Sequence, residues 1–318
     1  DLKNVISAGK SLKAGDKVYY NNMDKSLALF LIGSESIESG MRIIGSHVDS
    51  PRLDLKPNPL YEDSELSLME THYYGGVKKY QWVTIPLALH GVVVKKDGTK
   101  IDVVVGEEET DPVVMVSDLL VHLASEQQQK KATEVIAGED LNILVGSMPL
   151  EGEEKEAVKA NILKLLKEKY DFEEEDFMSA EIEIVPAGKA RDLGLDRSMV
   201  AGYGHDDRIC AYTSLLALLE TESTKKTSVV LLVDKEEVGS IGATGMQSRF
   251  FENAVAELMD RVGEYSELKL RRALANSKML SSDVTAAFDP NYAGAYEKKN
   301  SAFFGKGIAF AKYTGARG

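Results

Sequence analysis

The sequence predicts an α/β protein: a mixed, mostly parallel sheet flanked by helices, interrupted by a smaller β-rich module. Three observations carry this reading. Short apolar runs mark buried strands near the start of the chain, and from residue 187 onward such runs alternate with amphipathic stretches, as when parallel strands are joined through helices. The middle of the chain shows period-two alternation around a turn dipeptide instead, the mark of hairpins. The length, 318 residues, suits about two domains at ~100–200 residues each.

Each element follows in order. Residues 26–32 (SLALFLI) run into Gly33, and residues 41–44 run into Gly45. With the polar stretch 33–40 between them, they read as two buried strands joined by a turn. Pro51, Pro57 and Pro59 are expected to break any regular continuation. Val92 and Val94, then Ile101, Val103 and Val105, flank Asp97-Gly98, a hairpin signal. Val158, Ile162, Leu165 and Leu166 share one helical face. Ile182 and Ile184 alternate with Glu181 and Glu183, as in a strand with one face buried. This texture places the inserted module at 58–186, between two parts of another domain at 1–57 and 187–318. Beyond it, Ile209, Tyr212, Leu215, Leu216 and Leu219 mark an amphipathic helix. Residues 229–233 (VVLLV) read as a fully buried parallel strand. Residues 254–261 read as a helix, and Met279-Leu280 leads into Ser281-Ser282-Asp283.

Composition excludes several classes. At 43% apolar and 28% charged residues, the chain is neither disordered nor fibrous. Acids outnumber bases 51 to 38, a net charge of −13, which argues against nucleic acid or an anionic membrane as partner. The lone cysteine, Cys210, leaves no intrachain disulfide or cysteine-based zinc site and points to a reducing, cytoplasmic compartment. No apolar run reaches the ~18 residues of a membrane span. The start, Asp1-Leu2-Lys3-Asn4, is not a signal peptide. It lacks Met, so the chain is expected to begin inside a longer protein.

Four polar clusters fall where strand ends are expected: His47-Val48-Asp49, His205-Asp206-Asp207, Asp234-Lys235-Glu236-Glu237 and Ser281-Ser282-Asp283. Ligands of open α/β sheets gather beyond such ends. Imidazole and carboxylate without thiolate suit zinc, cobalt or manganese. Each cluster alone has a plain structural reading. His47 and Asp49 can form an ion pair, Asp206 or Asp207 can cap a helix, and Asp283 can form a turn. Glu236-Glu237 is harder to explain that way, because paired carboxylates at a buried strand end repel unless a cation or proton lies between them. Gly239, Gly242 and Gly245 follow a strand but lack phosphate-loop spacing. His72, His90 and His122 lack carboxylates at ligand spacing.

Together the segments GSHVDSPRLDLKP, GYGHDDRICAYTSLLALL, LLVDKEEVGSIGATGMQS and SSDVTAAFDPNY, with HYYGGVKKYQW and HLASEQ, resemble the M18 aminopeptidases across nearly the whole chain. The resemblance implies a zinc-peptidase-like α/β domain interrupted by a dimerisation module, and dimers assembled into tetrahedral dodecamers. It implies two zinc ions per subunit and removal of N-terminal residues from peptides. Carried over by residue, His47 and Asp283 would hold one metal, Asp206 would bridge both, and Glu237 would hold the second. Asp49 would orient His47, and Glu236 would be the general base. The family's remaining ligand is a histidine near the C-terminus, and this chain has none after His205. The chain is therefore expected to lack its C-terminal part, ending in a Gly-rich stretch with the second metal one ligand short. Two other readings use the same residues: a related metal-dependent deacylase or carboxypeptidase, and a non-catalytic assembly protein of the same fold.

Overall fold

Helix α1 (Leu2–Ser7) opens the chain, with Asp1 accepting the Lys3 N–H at 2.8 Å as its cap. The structure, a computed structural model, describes residues 1–311; the end of the Gly-rich stretch, with Gly315 and Gly318, lies outside the described residues. Strands β1 (Lys17–Asn22) and β2 (Ser26–Leu31) pair as a hairpin, and β3 (Arg42–His47) follows.

The chain then passes into β4 (Arg52–Asp63), β5 (Leu66–Tyr74), β6 (Leu87–Val94), β7 (Lys100–Val105), β8 (Met115–Val116) and β9 (Ile143–Gly146). Helix α2 (Ala157–Tyr170), β10 (Glu181–Pro186), β11 (Arg191–Leu193) and β12 (Met199–Ala201) complete this stretch. After it come α3 (His205–Glu220), β13 (Ser228–Val233), α4 (Phe250–Arg261), α5 (Glu267–Asn276) and β14 (Lys278–Ser281).

These elements form two units. The first comprises Asp1–Asp49, His205–Glu236 and the described chain from Ser240 on; the second comprises Ser50–Gly204 with Glu237–Gly239. The second unit is wider at both ends than the 58–186 drawn from sequence texture.

The first unit is built on a five-stranded mixed sheet in the order β1-β2-β13-β3-β14. Strand β13 runs antiparallel to β2 and parallel to β3, and β14 runs parallel to β3. The two early apolar runs are therefore not neighbours joined by a turn, because β13 lies between them. Val229, Val230 and Leu231 are at most 1% exposed, and a strand apolar on both faces needs the centre of a sheet. One face packs Phe30, Leu231 and Val233 with Phe250, Phe251 and Leu258. The other packs Leu31, Val230 and Leu232 with Ala211 and Leu218 of α3. Each such large side chain contributes about 1.5–3 kcal/mol when fully buried.

Helix α3 buries a different face from the one its large apolar residues suggest. Ile209, Tyr212 and Leu219 are 48%, 60% and 53% exposed, while Ala211, Ser214 and Leu218 are buried. Small residues let the helix lie close to the sheet, and Ser214 Oγ comes within 3.4 Å of Ser46 Oγ on β3.

The second unit carries a seven-stranded sheet in the order β7-β6-β10-β4-β5-β9-β8, with every pairing antiparallel. The Asp97-Gly98 turn joins β6 and β7 as expected. Strand β4 continues through Pro57 and Pro59, where a break was expected. Its register against β5 shifts between Leu55 and Leu60, and a bulge is where a strand tolerates residues without an N–H. Among the described residues, no helix is long and apolar enough to cross a membrane.

Candidate metal centre

The parallel pairing of β13, β3 and β14 aligns their carboxyl ends. Val233 lies opposite His47, and Ser281 lies opposite Gly45. His47 thus ends the middle strand, with Asp283 two residues past β14 and Glu236 three residues past β13.

Three contacts fix the His47 residue. Its backbone N–H donates to Asp207 Oδ2 at 3.3 Å. Its Nδ1 lies 2.9 Å from the Asp49 backbone oxygen and 3.4 Å from Asp49 Oδ1. Both are acceptors, so the proton belongs on Nδ1 and Nε2 is left as the ligand nitrogen. Orientation therefore comes first from the Asp49 carbonyl, with the carboxylate slightly farther away. Asp49 Oδ1 also accepts the Glu236 backbone N–H at 3.1 Å. One buried carboxylate thereby ties the histidine to the turn that carries Glu236.

Around Nε2 stand Asp206 Oδ1 at 2.9 Å, Asp283 Oδ1 at 3.7 Å and Glu236 Oε2 at 3.9 Å. One donor atom each from His47, Asp206 and Asp283 lies within 4.8 Å of the others. His47 is 3% exposed, whereas the three acidic side chains are about half exposed. Glu236 and Asp283, with His47, Met246 and Ser282 among others, line an adjoining cleft of about 190 Å³.

The electrostatics are those of a cation site. Burial works against a charged imidazole, but the hydrogen bonds and charge of Asp49, with the charge of Asp283, raise the His47 pKa to about 10. The same negative potential attracts a divalent ion in place of the proton. Burial pushes the Asp207 carboxyl above its ordinary range, with the Cys210 and His47 hydrogen bonds opposing. Burial and Asp207 push the Cys210 thiol up to about 11, so it is a protonated neighbour and not a thiolate ligand. One imidazole nitrogen and two carboxylates converging beside an open cleft fit zinc, which takes few protein ligands at a reactive site.

Sequence reasoning proposed His47, Asp206 and Asp283 as metal ligands, and the fold brings these three together. It also brings Asp49 and Glu236 into contact with His47. Glu237 belongs to the second unit, where a Cβ on Gly75 would stand 3.2 Å from Glu237 Cβ. Asp206 and Asp207 are not simple caps: both have non-helical backbone angles inside α3, and their side chains reach different atoms of His47. The role of Asp207 in holding the His47 backbone was missed. Its only sequence signal is adjacency to Asp206.

The family model described as "Aminopeptidase I zinc metalloprotease (M18)" matches residues 5–318. A relative from Clostridium acetobutylicum, "Probable M18 family aminopeptidase 1", is 67% identical over all of this chain and 69% of its own length. The crystal structure of aminopeptidase I from that organism superposes with a TM-score of 0.92 over the same shares of the two chains. The M18 aminopeptidase structure from Thermotoga maritima gives a TM-score of 0.91 at 45% identity, covering 100% of this chain and 72% of that one. The S. cerevisiae mApe1 dodecamer, at 22% identity and TM-score 0.70, covers 91% of this chain and 65% of that one and shares the fold. The chain belongs to the M18 family of zinc aminopeptidases, which are metallopeptidase hydrolases.

Proposed function

We propose that this chain carries the centre that hydrolyses the bond after a free N-terminal residue, with Glu236 as general base. The observation that supports this is the placement of Glu236. Its backbone N–H is anchored on Asp49 while its carboxylate, half exposed, stands 3.9 Å from His47 Nε2. His47, Asp206 and Asp283 would hold one zinc ion, and manganese or cobalt suits the same donors. When bound, the ion lowers the pKa of a coordinated water toward about 7 and polarises the scissile carbonyl. Glu236 accepts the proton of the attacking water and returns it to the leaving amine, an effect of about 10²–10⁴ in rate. Asp49 keeps the proton of His47 on Nδ1. A second ion is assigned on sequence resemblance alone, to Asp206, Glu237 and a histidine this chain does not contain.

The second unit, hairpin-rich and without a described metal cluster, is read as the module through which copies of the chain associate. Dimers built into a tetrahedral dodecamer are the proposed assembly, in the cytoplasm. The test is release of free amino acids from N-terminally varied peptides by the protein at its natural length with zinc added. Activity on free-amine peptides, absent from N-acylated ones, supports the reading. Release only from acylated or C-terminal positions would favour the deacylase or carboxypeptidase alternative.

A further inference from the structure

The loop that bears Glu236 is held at its neck by a buried clasp outside the metal centre. β13 ends at Val233, and the next residue, Asp234, is 6% exposed. Asp234 Oδ2 accepts the Thr244 hydroxyl at 2.6 Å, and an isolated parallel bridge pairs Asp234 with Gly245 at the neck. Ser26 on β2 closes the clasp from below. Its hydroxyl donates to the Thr244 backbone oxygen and lies 3.4 Å from the Asp234 N–H. Thr244 and Ser26 are 8% and 4% exposed. The Lys235 ammonium also lies 4.0 Å from Asp234 Oδ2.

The loop needs this restraint. Lys235 and Ser240 both sit in the left-handed region, at φ 70 and 61, where side chains other than glycine are strained. Ser240 N–H donates to the Lys235 oxygen at 2.6 Å, drawing the loop tight. Gly245 has no room for a Cβ, which would fall 2.2 Å from the Ser240 oxygen. Such a conformation persists only where its surroundings over-determine it. Asp49 holds the Glu236 backbone N–H; the clasp holds the strand end two residues earlier.

We propose that Thr244, with Asp234 and Ser26, is a positioning residue for Glu236: its hydroxyl fixes the loop that aims the base at the metal-bound site. The inference rests on the reading of Glu236 as general base. Small displacements of a reacting group cost large factors in rate. Thr244→Val keeps the volume, removes the hydroxyl and leaves Asp234 Oδ2 without its closest partner. In the zinc-loaded protein at its natural length, kcat should fall about 10–100-fold with KM and bound zinc within about threefold. Thr244→Ser, which restores the hydroxyl, should return kcat to within about threefold. The decisive readout is the double variant. In a Glu236→Gln background, Thr244→Val should change the residual turnover less than about twofold, because the loss is transmitted through Glu236. A full multiplicative loss in that background, or wild-type kcat in Thr244→Val, would overturn the proposal while leaving the general base standing. Unimpaired turnover in Glu236→Gln alone would instead remove the base assignment. Should Thr244→Val fail to fold, Ser26→Ala gives the same comparison from the outer side of the clasp.

Discussion

Asp49 does two jobs with one buried side chain. Its Oδ1 lies 3.4 Å from His47 Nδ1 and accepts the Glu236 backbone N–H at 3.1 Å. A carboxylate is suited to both because each partner offers a proton. Asp49→Asn presents either an amide oxygen or an amide donor to those two N–H groups, and the donor orientation clashes with them. The residue-49 backbone carbonyl, 2.9 Å from His47 Nδ1, still accepts its proton, so the change removes the charge behind the ligating histidine and we expect metal affinity to fall by about tenfold. Zinc titration with a competing chelator checks it. Glu236→Gln should behave in the opposite way. It removes the base and leaves His47, Asp206 and Asp283 intact, so bound metal should stay near normal while turnover drops at least about a hundredfold. Turnover and metal content measured on one preparation separate the two roles. Lost zinc together with retained turnover per bound ion would make Glu236 a ligand and not a base.

At the scale of elements, strand β13 is the part on which the first unit depends most. Leu231 is 0% exposed and pairs with Ala28 on one side and Gly45 on the other. Leu231→Ala should destabilise the protein by about 2–5 kcal/mol, read from the denaturant midpoint. In the second sheet, Gly91 on β6 lies opposite Ile182, and a Cβ there would stand 2.0 Å from the Glu181 oxygen. Backbone cannot yield as a flexible side chain can, so Gly91→Ala should cost about 1–3 kcal/mol. The VVLLV run and the Asp97-Gly98 hairpin were legible in the sequence because composition and turn chemistry act locally. The position of β13 between β2 and β3 was not, because strand order depends on long-range pairing. The buried face of α3 was misread for a related reason. A helix close to a sheet selects small residues such as Ala211 and Ser214, and hydrophobicity alone ranks Ile209 and Tyr212 above them. At the site, the four polar clusters were visible as strand-end chemistry. The hold of Asp207 on the His47 backbone was not, since a main-chain contact 160 residues away leaves no pattern in the sequence.

At the scale of the whole molecule, the metal centre couples the ends of two strands and the start of one helix to folding. His47 ends β3, Asp283 lies two residues past β14, and Asp206 lies in the first turn of α3, so the ligand set exists only when these elements are assembled. An ion that binds the folded arrangement and not the unfolded chain stabilises it by mass action, about 2.7 kcal/mol at a hundred times the dissociation constant. For a unit of this size that corresponds to a rise of about 5–10 °C in thermal midpoint. The expected result is a lower midpoint after dialysis against chelator, restored by stoichiometric zinc. The restoration should vanish in His47→Ala, which removes the nitrogen at the centre of the cluster, and should persist in Glu236→Gln. The measurement needs no turnover, so it tests the His47–Asp206–Asp283 site independently of the reaction. An undiminished zinc response in His47→Ala would place the ion elsewhere in the molecule.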